Sequence, residues 1–184
     1  MIPIQRIIVG EIAASADPLN ISTVVGSCIA TCLYDPLTSV GGMNHFLLPA
    51  SPRGSLIVDM AYGVHAIEGL ITELIHLGAS PNRLLAKVFG AADSHMVDNI
   101  ELQAGNANHV FVFATLADYG IPVVAHSLGG PRGRYVRFAS HRGDVLVRAV
   151  QLGRYRKRGD LRAGSSAHDR VSTLKSGAAH NAAH

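Results

Sequence analysis

The spacing of apolar positions changes several times along the chain, and each change marks an element. Ile4-Gln5-Arg6-Ile7-Ile8-Val9 reads as a first strand. Gly10 and Glu11 open a loop that runs through Pro18 and Asn20. Ile21 to Val25 is rich in β-branched residues and reads as a second strand, broken by Gly26-Ser27. Cys28 to Tyr34 is a short apolar run that reads as a buried strand, and Asp35-Pro36 turns it. Val40 to Leu48 is a further strand, ended by Pro49.

The period then becomes helical. Ile57, Met60, Ala61, Val64, Ile67, Ile71, Leu74 and Ile75 recur at three- and four-residue steps, which predicts a helix over 56–77. Asp59, Tyr62, His65, Glu73 and His76 fall mainly on its other side, and Gly78 with Pro81 stops it. Leu84 to Phe89 reads as a strand, and Gly105 to Tyr119 as a second helix closed by Gly120. Three strands follow, Pro122–His126, Arg134–Ala139 and Val145–Val150, with turns at Gly129-Gly130-Pro131 and Arg142-Gly143-Asp144. Strands joined by short turns, plus two helices, predict an α+β fold: a layered sandwich of mixed or antiparallel sheet covered by the two helices.

After Gly153 the periodicity stops, and Arg, Ser, Gly, Ala and His dominate. The pattern therefore divides the chain into one folded domain, residues 1–153, and a basic tail, residues 154–184, that reads as disordered. The tail changes how the net charge of +3 is understood. Seven basic and two acidic residues lie in 151–184, so residues 1–150 carry a net −2. A pI near 9.1 thus belongs to the tail and not to a nucleic-acid-binding body. The absence of Trp and the 5 % aromatic content also argue against a stacking platform for single strands. No apolar run reaches the ~18 residues of a membrane span. Residues 1–10 lack the apolar core and cleavage site of a secretory leader, which leads us to expect a cytoplasmic protein.

The chemistry-bearing residues are few. Cys28 and Cys32 lie four residues apart. On an extended strand that is about 13 Å, beyond the ~7 Å that a disulfide allows, and the spacing is not a zinc or redox motif. Two free thiols fit a reducing compartment. Cys32 sits inside the apolar run and reads as packing. Cys28 follows Gly26-Ser27 at a strand boundary. A turn there gives a thiol room, and backbone N–H groups around Gly26 and Ser27 could face a carbonyl oxygen. By residue type alone, core packing remains the commoner role for Cys28. His45, in Gly41-Gly42-Met43-Asn44-His45-Phe46, can take a proton from a nearby thiol or be a hydrogen-bonded core histidine. Ser22 and Thr23 precede Cys28 by six and five residues, and either hydroxyl could fix the imidazole tautomer. The remaining histidines show no ligand spacing, so no metal is expected. Gly129-Gly130-Pro131-Arg132-Gly133-Arg134 lacks the ending of a phosphate loop and reads as a turn with an exposed basic rim.

Taken in order, Gly26-Ser27-Cys28, Cys32-Leu33-Tyr34-Asp35-Pro36 and Gly41-Gly42-Met43-Asn44-His45-Phe46-Leu47-Leu48-Pro49 resemble the signature of the chemoreceptor glutamine deamidases, the CheD family. Tyr62-Gly63, Ala86-Lys87-Val88-Phe89-Gly90 and Gly129-Gly130 with Gly133-Arg134 extend the resemblance over roughly residues 5–150. Two segments depart from it. Gly105-Asn106-Ala107-Asn108 lacks the arginine of the family's Gly-x-Arg-Asn pattern, and Phe89-Gly90-Ala91 replaces a Phe-Gly-Gly.

The resemblance implies a cysteine-hydrolase-like deamidase fold. It implies a protein-glutamine glutaminase without cofactor, with Cys28 as nucleophile, His45 as base and a hydroxyl from Thr23 or Ser22 as third member. Its implied substrates are glutamine side chains on the cytoplasmic domain of chemotaxis receptors, beside receptor arrays. It also implies a CheC-type phosphatase as a partner. That leaves a non-catalytic regulator docked on such a phosphatase as the alternative, and a cysteine hydrolase of another amide as a third reading.

Overall fold

A computed structural model describes residues 1–49, 59–93, 100–151 and 171–174, with 100–105 and 171–174 described by backbone alone. Among the described residues, ten strands form two five-stranded sheets. The first has the order β1-β3-β8-β9-β10, built from β1 (Ile4–Arg6), β3 (Asn20–Val25), β8 (Gly133–Ala139), β9 (Asp144–Val150) and β10 (Val171–Leu174). The second has the order β2-β5-β4-β6-β7, built from β2 (Ile12–Ser15), β5 (Val40–Phe46), β4 (Ile29–Asp35), β6 (Leu85–Gly90) and β7 (Val123–Leu128). Two pairs are parallel, β1 with β3 and β6 with β7. The others are antiparallel.

The layers follow from which face each strand buries. Residues Ala30, Cys32, Met43 and Phe89 of the second sheet pack against Ile21, Val25, Val136 and Phe138 of the first. On the opposite face of the second sheet, Ile29, Leu33, Phe46 and Val88 meet α1 (Gly63–His76) through Ala66, Ile67, Leu70 and Leu74, and α2 (Ile100–Asp118) through Val112 and Leu116. The molecule is thus an α+β sandwich of helices, sheet and sheet, as the pattern predicts. With both faces covered, all seven residues of β4 are buried, which explains its unbroken apolar run.

β5 is equally buried although its sequence is not an apolar run. Its glycines answer a close approach. A Cβ on Gly42 would come within 2.7 Å of both the Ala13 carbonyl of β2 and a Leu70 methyl of α1. Only a bare backbone lets strand and helix lie that near.

The sequence reading needs three corrections. Ile12–Ser15, expected to be loop, is a strand paired with Asn44–Gly41. Its small residues carry no alternation, and the pairing with β5 makes it a strand. The first helix begins at Gly63 and not before. Asp59 turns the chain by accepting from the Ala61 N–H (2.8 Å), and Tyr62 stays extended while bridging to Leu48. Residues 56–58 of that expected helix lie outside the described residues. Val64 and Ile75, assigned to its buried stripe, are 41 % and 43 % exposed. The segment 154–184 also lies outside the described residues except for Val171–Leu174, which pairs antiparallel with β9.

Candidate active site

β3 and β4 belong to different sheets, and Gly26-Ser27-Cys28 is the bend that carries the chain from one to the other. Cys28 is half-buried there and packs against the inter-sheet core. In the β4–β5 ladder Ala30 lies opposite His45. Side chains alternate along a strand, so His45 shares its face with Ala30, and Cys28 lies in the bend two residues before Ala30. Cys32, one step further along the same face, is wholly buried, and burial pushes its thiol far up while the Lys87 charge acts against that. It is packing, as expected.

Across the sandwich, Thr23 of β3 meets His45 of β5. The Thr23 Oγ1 lies 2.8 Å from His45 Nδ1 and 2.8 Å from the Ile7 carbonyl. The carbonyl can only accept, and a hydroxyl has one proton. Thr23 therefore donates to Ile7, and its oxygen accepts from a protonated Nδ1. That leaves the lone pair of the neutral ring on Nε2. The Nε2 atom is buried and has no hydrogen-bond partner among the described residues. The ring is 4 % exposed, and burial lowers its pKa to about 4, against an opposing pull from Glu11. It is neutral at pH 7. Ser22 is the other candidate hydroxyl. It is one step out of phase on β3 and shares a face with its ladder partner Arg137, away from His45.

The bend itself is held by three successive carbonyls. Gly26 accepts from the Ala92 N–H (2.8 Å), Cys28 from the Ala91 N–H (2.9 Å) and Ser27 from the Asn108 side-chain amide (2.9 Å). The same Asn108 Nδ2 donates to the Leu47 carbonyl at 2.8 Å. Gly90 makes this closeness feasible. Its φ is +125°, and any Cβ there would collide with the Cys28 carbonyl.

Sequence reasoning missed Gly90 and Asn108 as parts of this site. Gly90 gave a signal only as part of the Ala86-Lys87-Val88-Phe89-Gly90 segment that resembles the family. Asn108 gave one, because with Val112 and Leu116 it forms an i, i+4, i+8 stripe, a polar residue on the buried face of a helix. The glycine-arginine turn also differs from expectation. Arg134 does not stand on an exposed rim. Its guanidinium turns inward, donating to Ser127 Oγ (2.9 Å) and to the carbonyls of Gly90 (3.3 Å), Gly129 (2.6 Å) and Arg132 (3.2 Å).

Comparison with known proteins matches residues 47–149 to the family described as CheD chemotactic sensory transduction. The match begins at Leu47, just beyond His45. A protein of Cereibacter sphaeroides named "Probable chemoreceptor glutamine deamidase CheD" is 44 % identical over 145 residues, 78 % of this chain and 71 % of that protein. One of the same name from Caulobacter vibrioides is 45 % identical over 145 residues, covering 78 % and 76 %. From Ruegeria, "Probable chemoreceptor glutamine deamidase CheD 1" is 50 % identical over 131 residues, covering 70 % and 67 %.

Proposed function

The chain belongs to the CheD family, and from that premise we propose that it is a protein-glutamine deamidase acting on chemotaxis receptors, with Cys28, His45 and Thr23 as its working residues. The names of its relatives support the substrate. The Thr23–His45 bond carries the mechanism, because it supports an imidazole whose free lone pair sits on the side chain's outer nitrogen.

The reaction runs in two halves. As Cys28 Sγ bonds to the carboxamide carbon of a receptor glutamine, its proton passes to His45 Nε2. Burial disfavours the imidazolium until the negative oxyanion forms beside it, so proton transfer and attack proceed together. Backbone N–H groups of the Gly26–Cys28 bend hold the oxyanion. His45 then gives the proton to the amide nitrogen, ammonia leaves, and a γ-glutamyl thioester remains. In the second half His45 takes a proton from water, the hydroxide attacks the thioester, and Cys28 departs as thiolate and recovers the proton. The products are glutamate and ammonia, and no cofactor enters the balance.

This reading sets the activity in residues 1–153 and the protein in the cytoplasm, beside the receptor's cytoplasmic domain. Among the described residues no helix is long and apolar enough to cross a membrane. The test is mass spectrometry of a receptor cytoplasmic fragment incubated with the protein and with Cys28→Ala. A gain of about 1 Da per modified glutamine with the wild type alone is expected. A gain with Cys28→Ala removes Cys28 from the mechanism. No gain with folded wild type across several receptors overturns the deamidase reading.

A further inference from the structure

We propose that Asn108 is a positioning residue for this reaction: from α2 it orients the Ser27–Cys28 peptide so that the Cys28 N–H is the oxyanion donor. The inference rests on the deamidase reading above and adds a residue to it.

Asn108 is wholly buried, and both hydrogens of its side-chain amide are used. One goes to the Ser27 carbonyl, in the residue before the nucleophile. The other goes to the Leu47 carbonyl, two residues after the base. A single planar NH2 group thus ties together the two segments that carry Cys28 and His45. Its Oδ1 is buried and has no hydrogen-bond partner among the described residues. An orphaned acceptor weakens a fold, so an asparagine serving stability alone is a poor choice here. The residue suits a site that needs two donors from one atom.

The direction of the peptide follows from its planarity. In a trans peptide the C=O and N–H point oppositely. The Ser27 carbonyl points at Asn108, in the helix layer. The Cys28 N–H therefore points away from the helices, toward the side where Cys28 packs against the inter-sheet core and where His45 lies. A nucleophile's own N–H, fixed on the side of its attacking atom, is what a developing oxyanion needs. The Ala91 and Ala92 N–H groups fix the flanking carbonyls of Cys28 and Gly26. Asn108 supplies the side-chain bond to the central one.

The experiment compares wild type, Asn108→Ala and Asn108→Ser. Each is measured for kcat and KM on a receptor fragment, for thermal unfolding, and for the pH profile of alkylation by iodoacetamide. Alkylation consumes the thiol and depends on its proton transfer, but it forms no oxyanion. The expected result is a folded Asn108→Ala protein whose kcat falls roughly 10- to 100-fold. Its KM and its alkylation profile stay as in wild type, and Asn108→Ser falls between the two.

A folded variant with kcat within about threefold of wild type overturns the inference and leaves the deamidase reading standing. An alkylation profile that shifts along with kcat also overturns it, since Asn108 would then act on the thiol and imidazole. If neither variant folds, Asn108 is a fold residue and the inference falls. A folded wild type that turns over no receptor glutamine overturns the deamidase reading, and this inference with it.

Discussion

The proton of one hydroxyl decides how His45 can be used. Thr23 spends it on the Ile7 carbonyl and so presents only lone pairs to the imidazole. Thr23→Val removes the acceptor, leaves the Ile7 carbonyl unpaired and frees the ring to swap tautomers. We expect kcat to fall roughly 10-fold or more, with Thr23→Ser close to wild type and Ser22→Ala unchanged. Ammonia release measures the rates, and 15N shifts of the His45 ring should show a protonated Nδ1 in wild type alone. An unchanged rate in folded Thr23→Val would remove the hydroxyl from the mechanism. Which hydroxyl faces the ring could not be read from composition. Ser22 and Thr23 are adjacent, both suit a strand, and only the phase set by Ile21 and Val25 turning inward separates them. Cys28 and His45 are candidates through their motif, whereas by residue type both resemble core packing.

At the scale of elements, the two ends of β4 do different work. Its N-terminal end carries the bend with Cys28. Its C-terminal end carries Asp35, wholly buried, which accepts from the N–H groups of Leu37 and Ser80 and from Arg83 through Nε and Nη2. Burial alone would raise that carboxyl, but the Arg83 hydrogen bond and the two backbone donors hold it well below the usual range. Asp35 thus pins the end of β4 to the turn after α1. Asp35→Ala should lower stability by about 2–4 kcal/mol in urea unfolding. Turnover per folded molecule should stay as it was, because a seven-residue strand puts Cys28 roughly 20 Å away. A loss of turnover in the folded variant would mean the two ends are coupled.

Many of these elements were legible: β4 as an apolar run, α1 as a helical stripe, and α2 by its Gly120 stop, although it begins at Ile100 and not at Gly105. β2 was not. Its Ile-Ala-Ala-Ser carries no alternation, and only its partner makes it a strand. The start of α1 was misread for a related reason. Apolar spacing continues through Met60 and Ala61, but Asp59 and the return past Leu48 hold those residues in a turn.

For the whole molecule, closing two sheets over an ionisable ring makes stability depend on pH. In the unfolded chain His45 binds a proton near pH 6.5, and in the folded protein only near pH 4. Between those values unfolding takes up a proton, so stability is lost as pH falls from about 6.5 to about 4, by on the order of 3 kcal/mol from this group. Urea unfolding at pH 7.5 and pH 4.5 should show a smaller loss for His45→Gln than for wild type. Equal losses would mean that the ring is not buried neutral.

The bond from Asn108 to the bend has a consequence in time as well as in space. A ribosome makes Cys28 and His45 long before it makes α2, and the Ser27 carbonyl has no such partner until residue 108 has been synthesised and has docked. An unfinished or prematurely ended chain therefore carries the thiol and the imidazole without the finished bend. If Asn108 positions the bend as proposed, such a fragment turns over glutamine more slowly than the finished chain.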